Sequence, residues 1–252
     1  VLLLPPIFLG GALPLPPVPA GISTLLGIAG TGLVLDGLLR PGSRIFAPGL
    51  RCAGGSRPRV ALTFDDGPHP EDTPAILDIL GAAGVTGTFF FVGKKARAHP
   101  GLVRRAARAG HQVESHSDTH PWWFSLAGPL RLRREIGEAS RTLEDLTGRP
   151  VRFFRPPVGH KNLFLEDALR GTGLEVVIWS VRPFDTLDRS PERIRRCVLG
   201  EAAPGGIILL HEGGSRNPGD PSRTVAALPS IILGLREKGL EPVSLESLLE
   251  TT

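Results

Sequence analysis

The sequence predicts an α/β fold built on about seven parallel strands, and three observations carry that expectation. From residue 60 onward, short apolar runs alternate with amphipathic stretches. Several of the runs, "EVVIW" and "IILL" among them, are apolar without a break, which suits strands covered on both faces. Chemically distinctive side chains recur where these runs end, and parallel α/β folds collect their chemistry at the carboxyl ends of strands. The pattern alone leaves open whether the strands close into a barrel or stay an open sheet.

The elements follow in order. The first strand, Val60–Phe64, is an apolar run that stops at two acids and a Gly-Pro pair. Helix Thr73–Ala83 and strand Thr88–Val92 come next, then helix Pro100–Ala109 and strand Gln112–His116. Helix Leu130–Thr147 leads to strand Val151–Arg155, and helix Leu163–Gly171 to strand Leu174–Ser180. Helix Pro191–Leu199, strand Gly206–His211, helix Val225–Lys238 and strand Pro242–Leu245 complete the series.

The 252 residues suffice for one large domain or two small ones. The net charge of +4 comes mostly from Arg, and a basic surface attracts anionic lipid, anionic cell-wall polymers or nucleic acid. No zinc-finger spacing, RNA-binding signature or Lys-rich tail is present, so nucleic acid is not expected as a partner. Cys52 and Cys197 form no C-x-x-C pair, and no disulfide framework is indicated.

Residues 1–35 carry no charged side chain, Asp36 being the first. Residues 18–39 have about the length of a bilayer crossing, so 1–40 are expected to be an apolar membrane anchor. Arg40, Arg44, Arg51, Arg57 and Arg59 follow it, which favours a cytoplasmic placement of that flank. Residues 41–57, rich in Arg, Gly and Pro, read as a basic linker, and 58–252 as the catalytic domain.

Two adjacent acids, Asp65 and Asp66, end the first apolar run, and like charges side by side are costly. "HSDTH", residues 116–120, sets two imidazoles four apart, a frequent metal-ligand spacing. One of the two acids would complete a His-His-Asp set, and three protein ligands with an open position describe a catalytic metal site. The cation would offset the repulsion between the acids and leave the other carboxylate free as a general base.

"TFDDGPHPEDTPAILDIL", "HSDTH", "RFFRPPVGH" and "IILLHE" resemble, in order and spacing, the motifs of the polysaccharide deacetylase family (NodB homology domain, carbohydrate esterase family 4). The resemblance covers about residues 58–247 and implies a distorted (β/α) barrel. It implies a divalent metal, zinc before cobalt, nickel or manganese, held by Asp66, His116 and His120. It further implies Asp65 as catalytic base, Arg155 as the partner holding that base, and His211 as general acid. The backbone N–H of Val158 would donate to the oxyanion, with Pro157 and Gly159 beside it.

Two departures stand out. Val158 occupies the position where the family commonly has Tyr, and the chain has no Tyr at all. Near "WSVRPFDTLD", where the family often shows Asp-x-x-Asp-Trp, Arg182 stands at the first Asp and Thr186 at the Trp. Asp185 matches the second acid and is expected to orient or tune His211. Trp122 and Trp123 follow the metal motif, and Trp122 is expected to stack on a sugar ring. His160 is a further groove-lining candidate.

The expected activity is metal-dependent hydrolysis of N-acetyl, or alternatively O-acetyl, groups on a polysaccharide such as peptidoglycan or a chitin-like N-acetylglucosamine polymer. An acetylated glycan is thus the expected partner, and a membrane-associated place in a bacterial cell envelope the expected location, its side left open. The rival readings are a related amide hydrolase acting on a small molecule, and a catalytically silent glycan-binding protein on the same fold.

Overall fold

A computed structural model describes residues 20–43, 45–54, 57–187, 190–213 and 222–250. It contains one sheet of seven strands: β1 (Arg59–Asp65), β2 (Thr88–Phe91), β3 (Gln112–Ser115), β4 (Phe153–Phe154), β5 (Glu175–Val176), β6 (Ile207–His211) and β7 (Glu241–Val243). The order is β5-β4-β3-β2-β1-β6, with β7 paired to the start of β1, and every pairing is parallel. The expected number and direction of strands are met.

The sheet curls rather than lying open. Its outer edges approach through single bridges, Val181 beside Ile208 and, lower down, Leu50 beside Val177 and Cys52 beside Gly206. The run read as a strand over Leu174–Ser180 is therefore regular only at Glu175–Val176. Its partner β4 is two residues long, and the chain then crosses from the β4 edge to the β6 edge. Residues 50–53, inside the stretch read as a linker, run along this gap. Lys161, itself buried, donates from Nζ to the backbone oxygens of Ser43 and Ala47, which ties the same stretch to the barrel.

Helices wrap the sheet: α2 (Asp72–Ala83), α3 (Gly93–Ala98), α4 (Pro100–Arg108), α5 (Pro129–Thr147), α6 (Leu165–Leu169), α7 (Pro191–Glu201), α8 (Arg223–Glu237) and α9 (Leu245–Leu249), after an N-terminal α1 (Ala20–Leu39). Their ends follow local chemistry. Pro100, Pro129 and Pro191 open α4, α5 and α7, where a missing N–H costs nothing. Ser190, Ser222 and Ser244 accept hydrogen bonds from the first-turn amides of α7, α8 and α9. Gly84 and Gly148 close α2 and α5 in the left-handed conformation.

Two helices differ from expectation. The charged "GKKARA" of α3 has too little apolar periodicity to be read from sequence. α9 begins at Leu245, which the sequence reading placed in the last strand; Ser244 caps it and ends that strand early. The core is aliphatic and Phe-rich, with Phe64 and Phe89 stacked at 5.0 Å between neighbouring strands.

In α1 every described residue from 24 to 35 is exposed, Leu25, Ile28 and Leu33 among them. Among the described residues no helix is long and apolar enough to cross a membrane. The anchor expectation thus rests on the sequence alone, and its first part, residues 1–19, lies outside the described residues, as does Arg44. Cys52 and Cys197 are not joined by a disulfide.

Candidate active site

The parallel register brings the strand ends together. Asp65, the last residue of β1, pairs directly with His211, the last of β6. Ser115 ends β3 next to β4, so His116 and Arg155 follow at the same level. A cleft of about 200 Å³ opens there, lined by Asp65, Asp66, His116, His120, Val158, Gly159, Trp179, Arg182, Thr186, Leu209 and His211.

Asp66, His116 and His120 offer ligand atoms that all lie within 4.8 Å of one another. Asp66 Oδ1 stands 3.5 Å from His116 Nε2 and 3.2 Å from His120 Nε2. Donor atoms sharing one tetrahedral ion at about 2.0–2.2 Å stand about 3.3 Å apart, so the three residues fit such an ion. His116 Nδ1 lies 2.7 Å from the carbonyl oxygen of Arg155, which sets Nδ1 as the protonated nitrogen and leaves the Nε2 lone pair facing the cleft. Burial, and then the neighbouring His116, hold the His120 imidazole below its usual pKa and so in the neutral form that ligates. Burial works to raise the Asp66 pKa, but the surrounding imidazoles of His116, His120 and His211 outweigh it, and the net shift is strongly downward.

Asp65 is buried and held differently. Arg155 NH1 donates to Asp65 Oδ1 at 2.6 Å and to Thr63 Oγ1 at 2.8 Å, while NH2 donates to the Ile178 carbonyl at 3.1 Å. Arg155 is itself fully buried, over the Phe90 ring at 4.1 Å. A carboxylate pinned by one oxygen keeps the other available; Asp65 Oδ2 lies 3.7 Å from His116 Nε2, close to the donor cluster.

His211 is oriented by Asp185. The Asp185 carboxylate accepts from the His211 backbone N–H at 2.7 Å, meets His211 Nδ1 at 2.8 Å and takes the Thr224 hydroxyl at 2.7 Å. Burial lowers the His211 pKa, but the Asp185 hydrogen bond and charge, aided by Asp65 and Asp66, outweigh it, and the net shift is upward.

Pro157, Val158 and Gly159 form a short 3-10 turn after Arg155. The Gly159 and His160 amides donate to the Pro156 and Pro157 carbonyls, whereas the Val158 amide meets no acceptor among the described residues. Gly159 has φ +73°, and a Cβ there would stand 2.4 Å from the Trp179 ring. Gly159→Ala is expected to destabilise the fold by at least about 1–2 kcal/mol from the left-handed backbone alone, with displacement of Trp179 added. An unchanged midpoint in chemical denaturation would contradict this.

Trp122 does not join the cleft: it is 83 % exposed and absent from the lining, while Trp123 packs under Arg131 at 4.8 Å. Trp179 is the Trp that lines the cleft. His160, next to the Gly159 turn, has its imidazole pKa lowered by burial and by the charge of Arg182.

Several positioning residues were given no role by the sequence. Arg97 of α3 grips Asp118 through two hydrogen bonds of 2.7 and 2.8 Å, and Glu135 of α5 accepts from the Thr119 amide and hydroxyl, both at 2.8 Å. Together they shape the 116–120 loop from two different helices. Lys95 donates to the Asp66 carbonyl at 2.6 Å. The Glu212 carboxyl, pushed up to about 8 chiefly by burial, accepts from the His69 amide and the Thr73 hydroxyl and sits where any Gly67 side chain would be.

Backbone strain gathers at the same place. Among the described residues, the non-glycine residues with positive φ are Asp66, Ser117, His120, Val158 and Phe184, and three of them line the cleft. Each costs about 1–3 kcal/mol and persists because surrounding contacts over-determine it.

The family described as polysaccharide deacetylase matches residues 53–177. The chain is 37 % identical over 197 residues to a chitooligosaccharide deacetylase of Sinorhizobium fredii, covering 74 % of this chain and 90 % of the relative. It is 34 % identical to a peptidoglycan-N-acetylglucosamine deacetylase of Bacillus cereus, covering 75 % and 87 %. Among solved structures, the Bc1960 peptidoglycan N-acetylglucosamine deacetylase superposes with a TM-score of 0.72 at 35 % identity, covering 80 % of this chain and 92 % of that one. A CE4 family pseudoenzyme of Bacillus anthracis also superposes, with a TM-score of 0.72 at 26 % identity, covering 79 % and 68 %.

Proposed function

The chain belongs to the polysaccharide deacetylase family, and from that premise we propose that it hydrolyses N-acetyl groups on an N-acetylglucosamine-containing polymer, with a divalent metal, zinc first. One observation carries the reading: the Asp66, His116 and His120 donors share a cleft with an Arg155-held Asp65 and an Asp185-held His211. A silent binding protein has no need of all five groups.

A cation held by Asp66, His116 and His120 would supply Lewis acidity, making water nucleophilic near neutral pH and polarising the acyl oxygen. Asp65 takes the proton of the attacking water as a new C–O bond forms at the acetamide carbon. The Val158 amide donates to the oxygen on which negative charge develops. His211, protonated, gives its proton to the amide nitrogen as the C–N bond breaks, since the unprotonated nitrogen is a poor leaving group. Acetate and a free amino sugar result. Asp185 and Arg155 touch neither reactant; they hold the acid and the base in register.

The test is an acetate-release screen on chitooligosaccharides, peptidoglycan fragments and acetylated xylan, with and without chelator. Release from the N-acetylglucosamine polymers, abolished by chelation and restored by zinc, supports the reading. No release under any added divalent metal overturns it, and release from xylan alone would make the enzyme an O-deacetylase.

The acid role has its own check. Asp185→Asn leaves burial as the main influence on His211 and lowers its pKa. The alkaline limb of the kcat profile should then move about one to two pH units toward acid, as the loss of a charge-assisted hydrogen bond implies. An unmoved limb would assign that limb to another group.

An envelope location remains part of the proposal, supported by the uncharged stretch before Asp36. Recovery of the full chain in the soluble fraction of its host would remove it.

A further inference from the structure

Arg182 is the one residue of the cleft lining that the chemistry above leaves unused while carrying a full positive charge. It stands just after Val181, whose bridge to Ile208 closes the barrel, and it lines the cleft with Asp65, His116 and His211. The rings of Trp179 and Phe184 pack against its guanidinium, at 5.2 and 4.8 Å from Cζ. These contacts hold the plane of the group and supply no acceptor for its N–H donors.

The other guanidiniums around the site are paired: Arg155 with Asp65, and Arg97 with Asp118. The Arg182 guanidinium makes no hydrogen bond or ion pair among the described residues, and its Nε is shielded from water without a partner. Asp185 and Asp65 are near enough for their charges to be felt, but each is engaged elsewhere, by His211 with Thr224 and by Arg155. An Arg stays ionised at any physiological pH, and a half-buried cation lacking an acceptor is costly unless a ligand provides one. A flat fork of N–H donors pre-set by two rings matches a carboxylate.

We propose that Arg182 is a specificity-determining residue that receives a carboxylate carried by the glycan beside the acetamido group, so that the favoured substrate is an anionic N-acetylated glycan rather than a neutral one. This rests on the deacetylase reading. The acetate released in the reaction is also a carboxylate, and the experiment separates the two sources.

The zinc-loaded full chain and Arg182→Gln are assayed on three compounds. One is the N-acetylglucosamine tetramer. The second is a peptide-free tetrasaccharide of alternating N-acetylglucosamine and N-acetylmuramic acid with free lactyl carboxylates. The third is the same tetrasaccharide with those carboxylates converted to methyl amides. The expected result is a kcat/KM about tenfold higher for the free acid than for its amide, the size of one charge-assisted hydrogen bond. The preference should sit in KM and collapse to near one in Arg182→Gln, whatever that variant does to the neutral tetramer. Equal rates on acid and amide in the wild type, or equal losses on all three compounds in the variant, overturn the proposal. So does competitive inhibition by acetate that the variant alone escapes, which assigns Arg182 to the product. Calorimetric titration with the acid and the amide separates this proposal from the deacetylase reading. Tighter binding of the acid, lost in Arg182→Gln, supports Arg182 even if no acetate is released, and equal binding refutes it.

Discussion

Asp65→Asn is expected to lower acetate release by about a hundred- to ten-thousandfold while leaving metal content unchanged. The amide matches the carboxylate in shape but cannot take a proton from water, and a positioned general base contributes about 10²–10⁴ in rate. Asp66, His116 and His120, the donor cluster, are untouched by the change. Asp65 also neutralises Arg155, which is fully buried with its NH1 2.6 Å from Asp65 Oδ1. Removing one partner of a buried pair costs about 3–5 kcal/mol, because the other charge is left without its counter-ion. The asparagine oxygen still accepts from Arg155, so the variant should fold with a lowered melting point, whereas Asp65→Leu should fold poorly. Full metal content and a cooperative unfolding transition, together with no acetate, identify a chemical defect. A variant retaining a tenth of the wild-type rate would remove Asp65 as the base.

Asp66→Ala is expected to cut zinc affinity at least about a hundredfold, a loss typical even of residues that only support metal ligands. It leaves two imidazoles, and His116 and His120 alone make an incomplete set for a catalytic ion. The side chain is only partly buried, so the fold should tolerate its loss, and the backbone of residue 66 keeps its Lys95 contact. Zinc at a hundred times its Kd should stabilise the wild type by about 2.7 kcal/mol and give the variant far less. The measurement is a thermal-unfolding series with and without zinc, alongside a competition titration against a metal indicator. Stoichiometric zinc retained by Asp66→Ala would place the ion elsewhere.

The chemistry was more legible in the sequence than the scaffold that aims it. Asp65, Asp66, Arg155 and His211 were marked by strand candidates ending in polar groups and His116 and His120 by their four-residue spacing, and the register of a parallel sheet brings such strand ends to one level. Asp185 was reached through its place after Trp179, and the structure sets it on His211 through both the ring and the amide. Trp122 was read as a platform because it follows the metal motif, but nearness along the chain says little about the direction a loop turns, and Trp179 takes the place in the cleft. Glu135 escaped notice because the amphipathic pattern of its helix accounts for it, Arg97 because its short helix has too little apolar periodicity to be read, and Thr224 because it precedes the helix expected from Val225.

By itself the sequence determined the parallel α/β class and marked the acids and imidazoles that the fold gathers at one cleft, because burial on both faces and the chemistry of these groups are written in residue type and local spacing. Only the tertiary structure decided which oxygen of Asp65 is pinned and that Asp66, His120 and Val158 take left-handed backbones. It alone leaves the Arg182 guanidinium without an acceptor among the described residues and brings residues 50–53 into the barrel gap. These features arise from contacts between segments far apart in the chain, and such contacts fix geometry through packing that no local pattern encodes.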